Sequence, residues 1–270
     1  IRFAGALVEL TPDLQRDIQA RYLKLSAATT IGSGGSELDY LDIGSSPDGS
    51  VELEAAQGIF VRGMDSRINV TQANASAGDV MLKTDGELHL GQVTAGGRLG
   101  VDAAGDLVQD AKQVEAVGDI DITTARYLMA DGATLLSHDG HIDIDSKGDV
   151  VVGRIEAQHN ATAQALRIRS GGSIYDGGDA GVHDLVAATA GAGVVLEAAG
   201  GIGSATWNNG QPLAVPDEDD FHTGQRIISP YWKVDGEWPA DGLAQALAGR
   251  HLAERALRRA EWLACAAPAS

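Results

Sequence analysis

The stretch Gly78-Asp-Val-Met-Leu-Lys-Thr-Asp-Gly86-Glu-Leu-His-Leu90 decides the fold, because it contains the same short phrase twice. Each copy begins with a glycine, continues with a polar residue and then places apolar residues two positions apart. A period of two is typical of a strand with one face toward a core and the other toward water. Further copies begin at Gly97, Gly118, Gly140 and Gly148. Short strands that repeat between small-residue turns predict a solenoid of stacked coils.

The spacing of these glycines fits the length of one coil. The steps are 19 residues from Gly78 to Gly97, 21 to Gly118 and 22 to Gly140, and a solenoid repeat is about 20 residues long. A longer phrase, residues 51–59, returns at residues 194–202. A β-sandwich also has short alternating strands, but it does not place glycine at a fixed phase. The pattern therefore favours a solenoid, with about ten coils of about 20 residues over residues 17–215.

Stacking predicts which side chains form the core. Because coils lie about 4.8 Å apart, chemically similar residues lie above one another in aliphatic columns. The alanine pairs at 55–56, 103–104 and 198–199 are expected to fill the corners, and the corner glycines to adopt positive φ. The side chains predicted to point inward are Val80, Leu82, Leu88, Leu90, Leu99, Val101, Ile120, Ile122, Ile142, Ile144, Val150 and Val152.

Composition excludes several partners. The net charge is −18 and the pI is about 4.6, which argues against nucleic acid and against anionic membranes. An acidic surface keeps a repetitive β protein soluble. No apolar run approaches the length of a membrane span. Cys265 is the single cysteine and cannot form an internal disulfide.

The chain divides into three segments by sequence style. Residues 1–16 are an N-terminal edge or capping segment, either an edge strand or a short helix that begins near Thr11. Residues 17–215 carry the β-helix repeats, interrupted by a wide loop at 170–181. Residues 216–270 are a connector and an amphipathic helix over 241–264, which we expect to cap the open end of the solenoid; a partner groove or a membrane is the alternative. Since no signal peptide is visible and the chain opens on isoleucine, we expect a processed product or a segment of a larger protein.

The phrases across residues 78–99 resemble the repeats of filamentous-haemagglutinin-type exoproteins, which are large bacterial adhesins. The phrase Ile202-Gly-Ser, followed by Pro212-Leu-Ala-Val215, is similar to phrases in the same group. The resemblance covers roughly residues 17–215. It implies a right-handed parallel β-helix on a very long, secreted, surface-associated polypeptide. The amino-terminal secretion domain of that family is not visible here, and residues 216–270 depart from its pattern.

Acidic alternation supplies the candidate metal site. Asp119 and Asp121 flank one isoleucine, and His141, Asp143 and Asp145 alternate with two others. If the strands stack, these side chains form outward rows that could share Ca²⁺, which prefers oxygen ligands. Solvated acidic faces are the alternative, and the nonapeptide of calcium-binding rolls is missing. No other cofactor is expected.

The function predicted from these observations is a non-catalytic structural or adhesive repeat segment of a large secreted protein on the bacterial cell surface. Its partners would be cell-surface or matrix carbohydrate or protein, or neighbouring copies of itself. Two alternatives stay open. One is a self-assembling extracellular fibre subunit; the other is a carbohydrate-active β-helix enzyme with paired carboxylates. Against the enzyme, Trp207 is the only tryptophan in residues 17–215.

Overall fold

A computed structural model describes residues 1–8, 15–36, 39–110, 112–177 and 184–203, and the short strands at 207–208, 211–212 and 227–228. The described part is almost entirely β-strand. The strands are β1 Arg2–Phe3, β2 Ile18–Gln19, β3 Tyr22–Ala27, β4 Thr30–Ile31, β5 Leu41–Gly44, β6 Ser50–Ala55, β7 Gly58–Gly63, β8 Arg67–Ala75, β9 Asp79–Thr84, β10 Glu87–Ala95, β11 Leu99–Ala103, β12 Leu107–Gln109, β13 Gln113–Ala116, β14 Ile120–Thr124, β15 Tyr127–Met129, β16 Thr134–Ser137, β17 Ile142–Ser146, β18 Val150–Val152, β19 Arg154–Ala157, β20 Leu166–Ser170, β21 Ile174–Asp176, β22 Leu185–Ala187, β23 Val194–Ala198, β24 Trp207–Asn208, β25 Gln211–Pro212 and β26 Ile227–Ile228.

Two long parallel sheets run along the solenoid. The straight sheet has the order β2-β5-β7-β9-β11-β14-β17-β20-β23-β26, with β4 also on β7. The branched sheet has the order β1-β3-β6-β8-β10-β12-β15-β18-β21, and a branch β13-β16-β19-β22 starts on β10. Among the described strands, only β24 and β25 pair antiparallel. The predicted parallel β-helix is confirmed.

The solenoid has about eight turns, fewer than the ten predicted, because the coils lengthen along the chain. Register partners in the straight sheet are 19 residues apart at Val80 and Leu99. They are 28 residues apart at Leu166 and Val194. Longer coils accommodate wider turns between strands of similar length, so the same stretch of sequence makes fewer turns.

A break in the alternation gives each coil its bend within the branched sheet. In β10, Leu90 and Val93 are both buried, although they are three residues apart. Gly91 lies at this bend, and a Cβ there would overlap the carbonyl oxygen of Thr71 on the preceding coil. Later coils replace the bent strand with two short ones, such as β12 and β13. The core is therefore enclosed by the straight sheet and by the two arms of the branched sheet.

The predicted aliphatic columns are confirmed. All twelve side chains predicted to point inward are buried. Parallel register stacks them with like residues from neighbouring coils, which suits β-branched side chains on a pleated surface. One such column in the straight sheet is Ile59, Val80, Leu99, Ile120, Ile142, Leu166 and Val194.

Only half of each alanine pair fills a corner. Ala103 and Ala198 are buried, whereas the alanine after each is exposed. The column that contains them also carries buried hydroxyls, which the sequence interpretation missed. Thr124 Oγ1 donates to the Gly105 carbonyl oxygen at 3.0 Å, and Ser170 Oγ donates to that of Gly148 at 2.7 Å. Hydroxyls therefore satisfy corner carbonyls that the strand ladder leaves over.

The corner glycines are required for close approach between coils, and the predicted positive φ is wrong for them. A Cβ on Gly78 would overlap the carbonyl oxygen of Gln57, and one on Gly140 would overlap the backbone nitrogen of Asp119. Positive φ occurs instead at Gly32, Gly132, Gly191 and Gly203. Each repeat therefore begins with glycine because the preceding coil passes directly beneath it.

The polar residue after the corner glycine also has a structural reason. Asp79 Oδ1 accepts the backbone N–H of Arg98 at 2.8 Å. Asp149 Oδ1 accepts that of Ser173 at 2.8 Å. A carboxylate that accepts a backbone N–H forms a charge-assisted hydrogen bond, which is stronger than a neutral one. These corner carboxylates join each coil to the next where the strand ladder is interrupted.

One polar pair lies within the core. Tyr127 is fully buried, and its hydroxyl donates to Gln109 Oε1. The Gln109 amide donates in turn to the carbonyl oxygens of Lys112 (3.1 Å) and Thr134 (2.9 Å). Burial raises the pKa of the Tyr127 phenol far above its usual range, so the hydroxyl stays a donor at all physiological pH values.

We expect Tyr127→Phe to lower the free energy of unfolding by about 1–3 kcal/mol, because Gln109 Oε1 then stays buried without its donor. Gln109→Met should cost more than Tyr127→Phe, since it leaves three groups without their partner. Urea denaturation of both variants measures the ranking. Equal stability of Tyr127→Phe and the natural protein would contradict the assignment of this hydrogen bond.

The ends of the repeat region differ in detail from the sequence interpretation. Strand β1 pairs with β3, so the N-terminal segment contributes an edge strand; the alternative helix near Thr11 lies outside the described residues. The expected wide loop at 170–181 contains strand β21. Pairing also continues past residue 215, because β26 lies on β23. The tail helix at 241–264 and Cys265 lie outside the described residues. Within the described part, no helix is long and apolar enough to cross a membrane.

Candidate functional site

The predicted metal-site residues lie together on the outer face of the straight sheet. Strand register places Asp121 beside Asp143 and Thr123 beside Asp145. His141 lies beside Asp119, because its backbone N–H donates to Asp119 Oδ1 at 3.0 Å. The outward rows expected from the sequence are therefore present.

His141 occupies the space between two of the carboxylates. Its Nδ1 lies 2.8 Å from Asp119 Oδ1 and its Nε2 lies 3.5 Å from Asp121 Oδ1. Asp119 is also the corner carboxylate of its coil, in the same role as Asp79 and Asp149. It is therefore engaged by both the backbone and the imidazole of His141.

Arginines from the next coil neutralise the other two carboxylates. Arg167 pairs with Asp143, and Arg169 pairs with Asp145 at 2.8 Å. The hydrogen bond to Asp143 raises the pKa of Arg167 above its ordinary value, against a smaller opposing effect of burial. Within the described residues, no group of three or more acidic, histidine or cysteine side chains converges as a metal site. A calcium ion would have to displace these partners, so calcium stays a prediction.

Thermal melting tests the calcium prediction by linkage. If these rows bind the ion, millimolar Ca²⁺ raises the Tm, because a ligand that binds only the folded state stabilises it. Asp143→Asn should then reduce the gain. A Tm that changes with neither calcium nor a chelator would leave the carboxylates as ion-pair partners only.

The first of two hollows on this face forms at Gly100. Strand register places Gly100 between Met81 and Asp121, so a position without a side chain separates two that project outward. Tyr40 lines the same hollow, and its ring meets that of Phe60 edge-on, with centroids 6.2 Å apart. The volume is about 310 Å³. The lining residues are Tyr40, Met81, Leu82, Lys83, Gly100, Val101, Asp102, Asp121 and Thr123.

The second hollow lies beside the segment that connects β19 to β20. Asn160 Oδ1 accepts the backbone N–H of Thr162 at 2.9 Å, which fixes a tight turn in that segment. The volume is about 260 Å³. The lining residues are His141, Asp143, Asn160, Thr162, Gln164 and Arg167. Asp143 in this hollow is the register neighbour of Asp121 in the first, so the two hollows are adjacent along the sheet.

No family model matches this chain. Comparison with characterised proteins and with solved structures finds no significant match either. The functional argument therefore depends on the geometry of the solenoid and its outer face.

Sequence reasoning found part of this surface. It identified Asp121, His141 and Asp143, but it missed Tyr40, Met81 and Gly100, which are distant from one another in the chain. The available signal was Gly100 itself, a glycine at an outward position within a strand, where close approach or an open space is the usual reason. Together the hollows offer an apolar wall, carboxylates, amides and hydroxyls, a combination suited to binding.

Proposed function

We propose that this chain is a non-catalytic structural and adhesive segment of a large secreted bacterial surface protein. The observation that carries the proposal is the contrast between core and surface. Inward columns repeat almost unchanged from coil to coil, whereas the outward row Phe60, Met81, Gly100, Asp121, Asp143 and Arg167 changes at every step. A constant core with a variable surface is suited to presenting contacts along a rigid support.

Bonds between coils support a load-bearing role. Backbone hydrogen bonds in both sheets join every coil to its neighbours, and corner carboxylates such as Asp79 add further hydrogen bonds. Ion pairs also cross between coils, including Lys24 with Glu52 at 2.5 Å and Arg62 with Asp85 at 3.0 Å. Because all these bonds act in parallel, tension spreads over both sheets.

The acidic surface supports exposure to solvent. The net charge of −18 keeps a protein soluble and discourages association of its sheet edges. The resemblance of residues 78–99 to bacterial exoprotein repeats supports secretion. These two features favour a cell-surface location over an intracellular one.

Bead adhesion under flow tests the proposal. We expect beads coated with the full chain to be retained on cultured epithelial cells or on extracellular-matrix coatings. The control is beads coated with an equally acidic protein of unrelated fold. Equal loss of both bead types from every surface would contradict the adhesive role.

A further inference from the structure

The geometry points to a groove for an uncharged saccharide chain on the outer face of the straight sheet. The groove consists of the two hollows, and its occupant would lie along the solenoid axis. This inference rests on the proposed adhesive function and adds the chemical class of the ligand.

The first hollow has the two surfaces that a sugar ring needs. Tyr40 and Met81 form an apolar wall against which the C–H face of a pyranose can pack. Lys83, Asp102 and Asp121 supply donors and acceptors for the hydroxyl edge. Phe60 supports the Tyr40 ring edge-on, which reduces the entropy that the ring loses when a ligand binds.

The second hollow is polar and offers neutral hydrogen-bonding groups. Asn160 and Gln164 carry amides and Thr162 carries a hydroxyl. These groups can both donate to and accept from sugar hydroxyls. The turn closed by Asn160 Oδ1 and the Thr162 N–H keeps the segment in position.

Local charge favours a neutral ligand. Lys83 Nζ lies 3.4 Å from Asp102 Oδ2, and Arg167 pairs with Asp143, so both cations of the groove are already neutralised. Asp121 adds an exposed carboxylate, with 58% of its side chain accessible. Sulfated or uronic-acid polymers would therefore be repelled, as they would be by the overall charge of −18.

The dimensions favour an extended chain over a single sugar. Each hollow, at about 310 and 260 Å³, is near the lower limit of ligand sites, which is about 300 Å³. Four strand steps separate Met81 from Arg167, a distance of about 19 Å at about 4.8 Å per step. A linear oligosaccharide of several units fits this length and would contact both hollows.

Isothermal titration calorimetry of the full chain tests the groove. The probes are cellohexaose, mannohexaose and chitohexaose, with a heparin hexasaccharide and a hexagalacturonate as anionic counterparts. We expect at least one neutral probe to bind and neither anionic probe to do so. Binding of the anionic probes alone, or of no probe, would overturn the inference.

Variants locate the site. Gly100→Val should fill the first hollow, since the new side chain meets only the flexible end of Met81, and we expect the affinity for the neutral probe to fall about tenfold or more. Ser26→Val places the same side chain on the outer face of the branched sheet and should leave affinity unchanged. Gln164→Ala is exposed in the second hollow and provides a second test if Gly100→Val lowers the Tm. Unchanged binding by both groove variants would overturn the inference.

The bead assay separates the two proposals. Retention of beads that neutral hexasaccharides do not inhibit, together with no binding in calorimetry, would overturn the groove and leave the adhesive role intact. Loss of retention for Gly100→Val beads but not for Ser26→Val beads would support both.

Discussion

Replacing Ile120 with Asp is expected to lower the free energy of unfolding by about 4 kcal/mol or more, because it buries an unpaired charge. Ile120 is 0% exposed and lies between Leu99 and Ile142 in its column. None of these neighbours can pair with a carboxylate. Urea denaturation at pH 7 measures the effect as a lower midpoint, provided that the m-value is unchanged.

Asp121→Asn is the matched control for this substitution. It changes the neighbouring residue, whose side chain points to solvent, and we expect a change within about 0.5 kcal/mol. Ile142→Asp should reproduce the Ile120→Asp result, since Ile142 occupies the same column in the next coil. A reversed ranking of the two Ile→Asp variants against Asp121→Asn would mean that the strand faces are assigned one residue out of register.

Gly78→Ala is expected to cost about 3 kcal/mol or more, although it adds a single methyl group. The methyl would overlap the carbonyl oxygen and carbon of Gln57, and backbone held in a sheet cannot retreat as a side chain can. Gly5→Ala is the matched control, because a Cβ at Gly5 meets no atom within 4 Å. Thermal melting of the two variants should show a large loss for Gly78→Ala and almost none for Gly5→Ala. Equal melting temperatures would contradict the explanation of the corner glycines.

The sequence predicted the core well because the core depends on local alternation. Val80 and Leu82, for instance, point inward for the same reason that their neighbours in the phrase point outward. The number of turns was wrong because coil length is set by turns of variable size, which alternation does not report. The same limit hid the groove: Tyr40 and Gly100 come together only through stacking of coils that are far apart in sequence.

The partners of the acidic rows show which information was missing. Asp143 and Asp145 meet Arg167 and Arg169, which lie one coil later at the same two positions of an alternating strand. Alignment of Ile142-Asp-Ile-Asp145 with Leu166-Arg-Ile-Arg169 reveals the match. That alignment requires a coil of 24 residues, which is longer than the spacings that the glycine phrases suggested.

The corner carboxylates have a consequence for how such a chain can change its length in evolution. Asp79 accepts an N–H from the coil that follows it, and Asp149 does the same one pair of strands at a time. Any coil that begins with Gly-Asp therefore offers its successor the same acceptor. Duplication or loss of a whole coil leaves no donor without its acceptor at the new junction. Unequal recombination between repeats can thus lengthen or shorten the protein in single-coil steps without redesigning either neighbour.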